Sequence, residues 1–234
     1  MLPIVDTHQH MWDLREFSLP WLTDVEMLNK SHDMDDYCEA SRGCGINQTV
    51  YMEVDVEPTQ RAREVDYVSD FCSRSDNPMV AAVVSGSPAE EGFFDIVKSY
   101  RDNPNVKGFR QVLHIPEMPR YSCLQQSFLN GMHCLGEAGK SFDLCMRPNE
   151  LGDALDLVKK CPDTLFILDH CGNADPQIVS GLLEPAEKEP FAHSRQQWLD
   201  DISALGQCEN VVCKLSGIIA RVPVGWKTEL LAPT

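Results

Sequence analysis

Two histidines one residue apart close an apolar opening, Ile4-Val-Asp-Thr-His8-Gln-His10. On extended backbone, side chains two apart share a face, so Asp6, His8 and His10 point the same way. Two neutral imidazoles held in this manner suit one divalent cation, zinc first among them. A satisfied structural pair is the ordinary alternative. Position favours chemistry, because a buried strand running into two imidazoles delivers them to the strand's C-terminal end. Asp6 reads as a residue that fixes the strand end by hydrogen bonding rather than as a ligand. A second polar cluster stands in Leu165-Phe-Ile-Leu-Asp169-His170-Cys-Gly172-Asn173. A polar pair at the end of a buried strand is costly unless it is used. Asp169 and His170 are therefore catalytic candidates, and His170 is also a candidate metal ligand.

Four more residues end apolar runs. Glu53, in Thr49-Val-Tyr-Met-Glu53, reads as a further metal ligand, a substrate contact or a solvated charge. Arg110, Arg147 and Lys214 end later runs. Their cationic heads suit an acidic or polyhydroxylated small substrate, the planar guanidinium gripping two oxygens at once. Each has a surface-charge alternative. Trp12 directly follows the histidine pair, so it is the tryptophan allowed near substrate; Trp21, Trp198 and Trp226 read as packing residues. His114 reads as a loop histidine. His32, His133 and His193 read as structural. There is no Gly-x-Ser-x-Gly elbow and no phosphate loop, so serine-hydrolase and phosphate-loop chemistry lack support.

The elements that must position these residues alternate. Short apolar runs at Leu2–Asp6, Ile46–Val54, Met79–Val84, Val106–Phe109, Phe142–Cys145, Leu165–Leu168 and Val211–Leu215 fit buried parallel strands. Segments of helical length lie between them: Met34–Arg42 after the N-cap candidate Asp33, Thr59–Ser73, Ala89–Tyr100, Gln125–Ala138, Asn149–Lys160 and Arg195–Leu205. Gly136, Gly139 and Gly206 suit left-handed caps. Trp226–Leu231 looks like the opening of another helix. The longest loop expected is Cys171–Ser194. This rhythm implies a parallel α/β sheet, and the absence of a glycine loop after the first strand favours a (β/α)8 TIM-barrel-like plan over an open doubly wound sheet. About seven βα units are present, so the expected domain is a single barrel over residues 1–234, incomplete at its C-terminal end.

The 234 residues carry 20 Lys+Arg against 36 Asp+Glu, a formal charge of −16. That excess opposes phosphate backbones and anionic membranes, so neither nucleic acid nor membrane is an expected partner. No secretory signal and no apolar stretch of about 18 residues is present. The ten cysteines are scattered, with no Cys-x-x-Cys pair. They read as reduced thiols, which places the chain in a reducing cytoplasm.

Ile4-Val-Asp-Thr-His8-Gln-His10-Met-Trp12-Asp13, Gly108-Phe-Arg110-Gln-Val-Leu-His114, Leu168-Asp-His170-Cys-Gly172 and Cys213-Lys-Leu-Ser-Gly217 together resemble the signature stretches of amidohydrolase family 2, on its lactonase-like branch. The resemblance implies a distorted barrel that hydrolyses a lactone or related carboxylic ester. It implies His8, His10 and His170 at the catalytic centre, with one divalent ion in some members and metal-independent action in others. Decarboxylases share the scaffold and are the alternative reading. Family members also carry an aspartate after an eighth strand, as ligand or general base, and this sequence has no such stretch. The expectation is therefore weak turnover from the chain alone, or a non-catalytic remnant. Asp169 is not an obvious substitute, since strand alternation would turn it away from His170. The first and seventh strands would leave unpaired edges, an invitation to homo-oligomers.

Overall fold

A computed structural model describes residues 3–182, 192–222 and 225 of the chain. The chain forms two compact units. The first comprises Met1–Gly86 with Ser99–Arg110, and the second Ser87–Lys98 with Gln111–Thr234.

The first unit holds four parallel strands, β1 (Ile4–Gln9), β2 (Ile46–Met52), β3 (Met79–Ser85) and most of β4 (Val106–Val112), hydrogen-bonded in chain order. Helix α1 (Met34–Ala40) precedes β2, and α2 (Arg61–Ser73) connects β2 to β3. Burial on both faces explains why β3 reads as an apolar run rather than an alternating one, since every position but Val80 is buried, whereas β1 is largely exposed before Gln9. Val65 and Val68 of α2 are also buried. Asp33 caps α1 as expected, its carboxylate accepting from the N–H groups of Asp35 and Asp36 while Asp36 returns a bond to the Asp33 N–H.

The second unit holds β5 (Ser141–Cys145), β6 (Phe166–Leu168) and β7 (Val211–Cys213), parallel and in register. The end of β4 leads into it, and the Leu113 N–H donates to the Cys145 carbonyl at 2.9 Å. Helices α4 (Gln126–Glu137) and α5 (Leu151–Lys160) alternate with these strands, and a further helix, Arg195–Leu205, precedes β7. Phe128 meets Phe142 edge to face, with ring centroids 5.6 Å apart. The helix after β3, α3 (Phe93–Tyr100), begins in the second unit and ends in the first. The α/β succession of an incomplete TIM-barrel-like fold, with seven parallel strands among the described residues, is thus the architecture.

Several boundaries moved for local reasons. β1 runs on to Gln9, so His8 lies within the strand and not beyond it. α3 starts at Phe93 rather than Ala89, after Gly92 at φ +89°. Of the glycines expected as left-handed caps, Gly139 is one, at φ +65°, whereas Gly206 keeps a right-handed φ of −64°. Gly136 lies inside α4. A Cβ there would stand 2.8 Å from the Asp163 carbonyl oxygen, so it is glycine because α4 crosses the turn before β6 closely. The helix expected at Trp226–Leu231 and the residues 183–191 of the long loop lie outside the described residues. Among the described residues, no helix is long and apolar enough to cross a membrane.

Candidate functional site

In the first unit the two histidines do share a face. Their rings lie 4.9 Å apart, nearly perpendicular at 81°. The register of β1 against β2 shifts between Asp6 and Gln9, an irregularity of the kind that re-aims side chains at a strand end. His10 Nδ1 lies 3.0 Å from the Met52 carbonyl oxygen. A carbonyl only accepts, so this contact puts the proton on Nδ1 and leaves Nε2 as the basic nitrogen, the usual preparation of a ligating imidazole. Asp6 is indeed a fastening: its Oδ1 accepts the His8 N–H at 3.0 Å and its Oδ2 the Tyr37 hydroxyl at 2.7 Å. Burial, then this bond, pushes the Tyr37 hydroxyl well up.

Glu53 and Arg110, treated separately in the sequence, form a buried ion pair. Arg110 Nε donates to Glu53 Oε1 at 2.6 Å, and Arg110 Nη2 donates to the Glu53 carbonyl at 2.8 Å. The other carboxylate oxygen accepts the Asp55 N–H at 2.7 Å. Glu53 is 1% exposed, so it is not a solvated strand-end charge, and its two oxygens are committed to protein donors rather than held out for a metal. Behind it lies a residue that sequence reasoning missed. Glu64, on α2, is also buried; its Oε1 accepts from the Tyr51 hydroxyl at 2.7 Å and from the Val54 N–H at 3.1 Å. Burial first, then the charge of Glu53, raises its carboxyl to about 7. The signal was available: Glu64 stands four residues before Val68 on one helix, and therefore on the apolar face.

Trp12 is buried among aromatic neighbours. Its indole N–H donates to the Lys30 carbonyl at 2.7 Å, and its ring meets Trp21 and His32 edge to face, at 5.8 and 4.9 Å.

In the second unit β6 ends at Leu168 and the chain turns sharply. His170, Cys171, Gly172 and Asn173 all take positive φ, between 52° and 72°. Three of them are not glycine, and such backbone persists only where the surroundings hold it. The Trp198 indole donates to the Cys171 carbonyl at 2.9 Å and the Asn173 amide to the Met146 carbonyl at 2.7 Å. His170 Nδ1 lies 2.9 Å from Ser216 Oγ. Gly217 leaves space for the imidazole, since a Cβ there would stand 2.5 Å from Nδ1. This turn corrects one expectation. Alternation would have parted Asp169 from His170, but the strand has ended before them, and their candidate ligand atoms lie within 4.8 Å of each other.

Lys214 follows β7 and bonds inward. Its ammonium lies 2.5 Å from Asp143 Oδ2 and 3.2 Å from Asp169 Oδ1, both carboxylates fully buried. Asp143, in the middle of β5, was not singled out in the sequence; a charge inside an apolar strand was its signal. Arg147 is likewise occupied. It donates to Glu150 Oε1 at 2.9 Å, to the Met118 carbonyl at 3.1 Å and to the Ile115 carbonyl, tying down the loop after β4. The structure therefore surrounds each predicted cationic contact with acceptors of its own chain.

Three comparisons bear on identity. The uncharacterised protein y4mH of Sinorhizobium fredii is 24% identical over 253 residues, covering 99% of this chain and 78% of that protein. An amidohydrolase of Burkholderia multivorans solved with bound zinc superposes with a TM-score of 0.78 at 17% identity, over 99% of this chain and 76% of that one. A probable 2-pyrone-4,6-dicarboxylic acid hydrolase of Acinetobacter baumannii, solved with citric acid, gives 0.66 at 14% identity, over 92% and 71%. At such identities the structural likeness speaks for the fold. The family model described as amidohydrolase matches residues 5–232, and the chain belongs to the amidohydrolase family.

Proposed function

We propose that this chain is a hydrolase of a small lactone or related carboxylic ester that is acidic or polyhydroxylated, and that His8, His10 and His170 hold one divalent ion, zinc by preference. The observation that carries the reading is the buried Asp169 carboxylate, gripped by Lys214 at 3.2 Å and set beside His170. Asp169 and His170, whose candidate ligand atoms lie within 4.8 Å of each other, offer carboxylate oxygen and imidazole nitrogen, donor types that zinc accepts. Bound there, such an ion polarises a carbonyl and acidifies water.

The chain's own residues then divide the work. His10 presents Nε2 because Met52 holds the proton on Nδ1. Asp169 accepts the proton of the attacking water at a carboxylate oxygen, and the Lys214 ammonium stands 3.2 Å from that carboxylate. Arg110, fixed in orientation by Glu53, takes the substrate's carboxylate or hydroxyls. Arg147 and Lys214 act as positioning residues, the first on the loop after β4 and the second on Asp169.

The zinc in the Burkholderia protein and the citric acid in the Acinetobacter protein accord with this reading. Elemental analysis of the purified chain tests it. About one divalent ion per chain is expected in the wild type, and none in His8→Ala/His10→Ala or in His170→Ala. No metal in the wild type would overturn the ion-assisted reading. A panel of lactones and aromatic carboxylic acids then separates the chemistries: acid release without carbon dioxide supports hydrolysis, and carbon dioxide release assigns a decarboxylase.

A further inference from the structure

Two of the ten cysteines stand apart from the rest. Cys171 lies in the left-handed turn after β6, and Cys213 ends β7, the neighbouring strand, paired in register with Leu168. The Cys171 N–H donates to the Lys214 carbonyl at 3.1 Å, which stitches the turn to the residue after Cys213. Both thiols reach that same carbonyl oxygen, Cys171 Sγ at 3.7 Å and Cys213 Sγ at 3.8 Å, so the two sulfurs gather at one point. Cys213 is exposed and Cys171 half-buried, whereas Cys123, Cys145 and Cys161 are buried.

We propose that Cys171 and Cys213 are a reversible redox-modification site, closing to a disulfide under peroxide. Peroxide converts one thiol to a sulfenic acid, releasing one water; the second thiol attacks that sulfur and releases another. Two electrons pass from the sulfur pair to peroxide, one S–S bond forms and two S–H bonds are lost. Exposure of Cys213 gives peroxide access, and Cys171, gathered at the same carbonyl, resolves the sulfenic acid before it oxidises further. The bond would tie β7 to the turn that carries His170, whose backbone already rests on the Trp198 indole at Cys171. A cross-link between this turn and β7 asks for Cα atoms roughly 4.4–6.8 Å apart, and the two sulfurs already meet at one carbonyl oxygen.

The test is disulfide mapping on the full, reduced chain treated with a few equivalents of hydrogen peroxide. Free thiols are alkylated, the chain is digested without reductant, and peptides are read by mass spectrometry. The expected first product is a peptide pair joined through Cys171 and Cys213, two hydrogens lighter than its parts and released by dithiothreitol. Hydrogen exchange across residues 168–175 should slow in the linked form. The link should vanish in Cys171→Ser and in Cys213→Ser. Sulfinic acid on Cys213 with no link, or a first link through any other cysteine, would overturn the proposal. The wild-type map decides this alone, so poor folding of a serine variant would not obscure the answer.

Discussion

Lys214 and Asp143 meet at 2.5 Å, joining the end of β7 to the middle of β5 through one buried ammonium and one buried carboxylate. Asp169 Oδ1 completes the group at 3.2 Å. Two buried carboxylates thus share one cation. Losing that cation takes an ion-pair partner from both buried charges, which is costlier than losing the whole group. Lys214→Met should destabilise the fold by about 3–5 kcal/mol. Lys214→Met/Asp143→Leu should recover part of that loss. Urea unfolding of the three proteins checks both statements, and an unchanged midpoint in Lys214→Met would refute the first.

Glu64 makes stability depend on pH in a defined direction. Its carboxyl titrates near 7 in the folded chain against an ordinary value of 4.5. The folded state therefore holds a proton that the unfolded state has already released over that range. This contribution is fully present below about pH 4.5 and is lost as pH rises to about 7, a difference of roughly 3 kcal/mol. Glu64→Gln keeps an acceptor for the Tyr51 hydroxyl but has no proton to lose. Relative to the wild type, the variant should gain stability steadily from pH 5 to pH 8. Denaturant midpoints measured at both pH values test this, and a gap that stays constant would contradict it.

Gly217 should be intolerant of even one carbon. An added Cβ would meet His170 Nδ1 at 2.5 Å on backbone at φ +67°. The imidazole would have to swing away from Ser216. On the proposed function, Gly217→Ala lowers zinc affinity by about 10–100-fold, the usual cost of a displaced ligand support. Titration with zinc against a competing chelator measures it. Wild-type affinity in the variant would show that His170 does not contribute.

Gly136 tests packing away from the site. The Asp163 carbonyl and the Thr164 hydroxyl would stand 2.8 and 2.9 Å from a new Cβ. Thr164 is itself tied to the Met132 carbonyl at 2.7 Å, so it has little freedom to retreat. Gly136→Ala should cost about 1–3 kcal/mol even though alanine favours helix, because overpacking outweighs propensity here. Thermal unfolding should show a lower midpoint, and a raised one would mean that α4 shifts at no cost.

Much of this protein was legible in the residues themselves. Short apolar runs with helix-length segments between them announce a parallel α/β plan, because hydrophobic period and turn chemistry are local properties. Asp33 capped its helix, and Asp6 fastened its strand. The closeness of His8 and His10, two residues apart, was also legible, although β1 ends at Gln9 with an irregular register. The tertiary structure decided what each charge is for. Arg110, Arg147 and Lys214 looked alike in sequence, as cations ending apolar runs. Arg147 found Glu150 only three residues on, but the partners Glu53 and Asp143 of the other two were set by which neighbours folding delivered, and a side chain's partner across 57 or 71 positions is not a local property. The same holds for Asp169 and His170. Alternation would have parted them, but a left-handed turn held by Trp198, Asn173 and Gly217 keeps them together, and only packing from distant segments can hold that backbone in place.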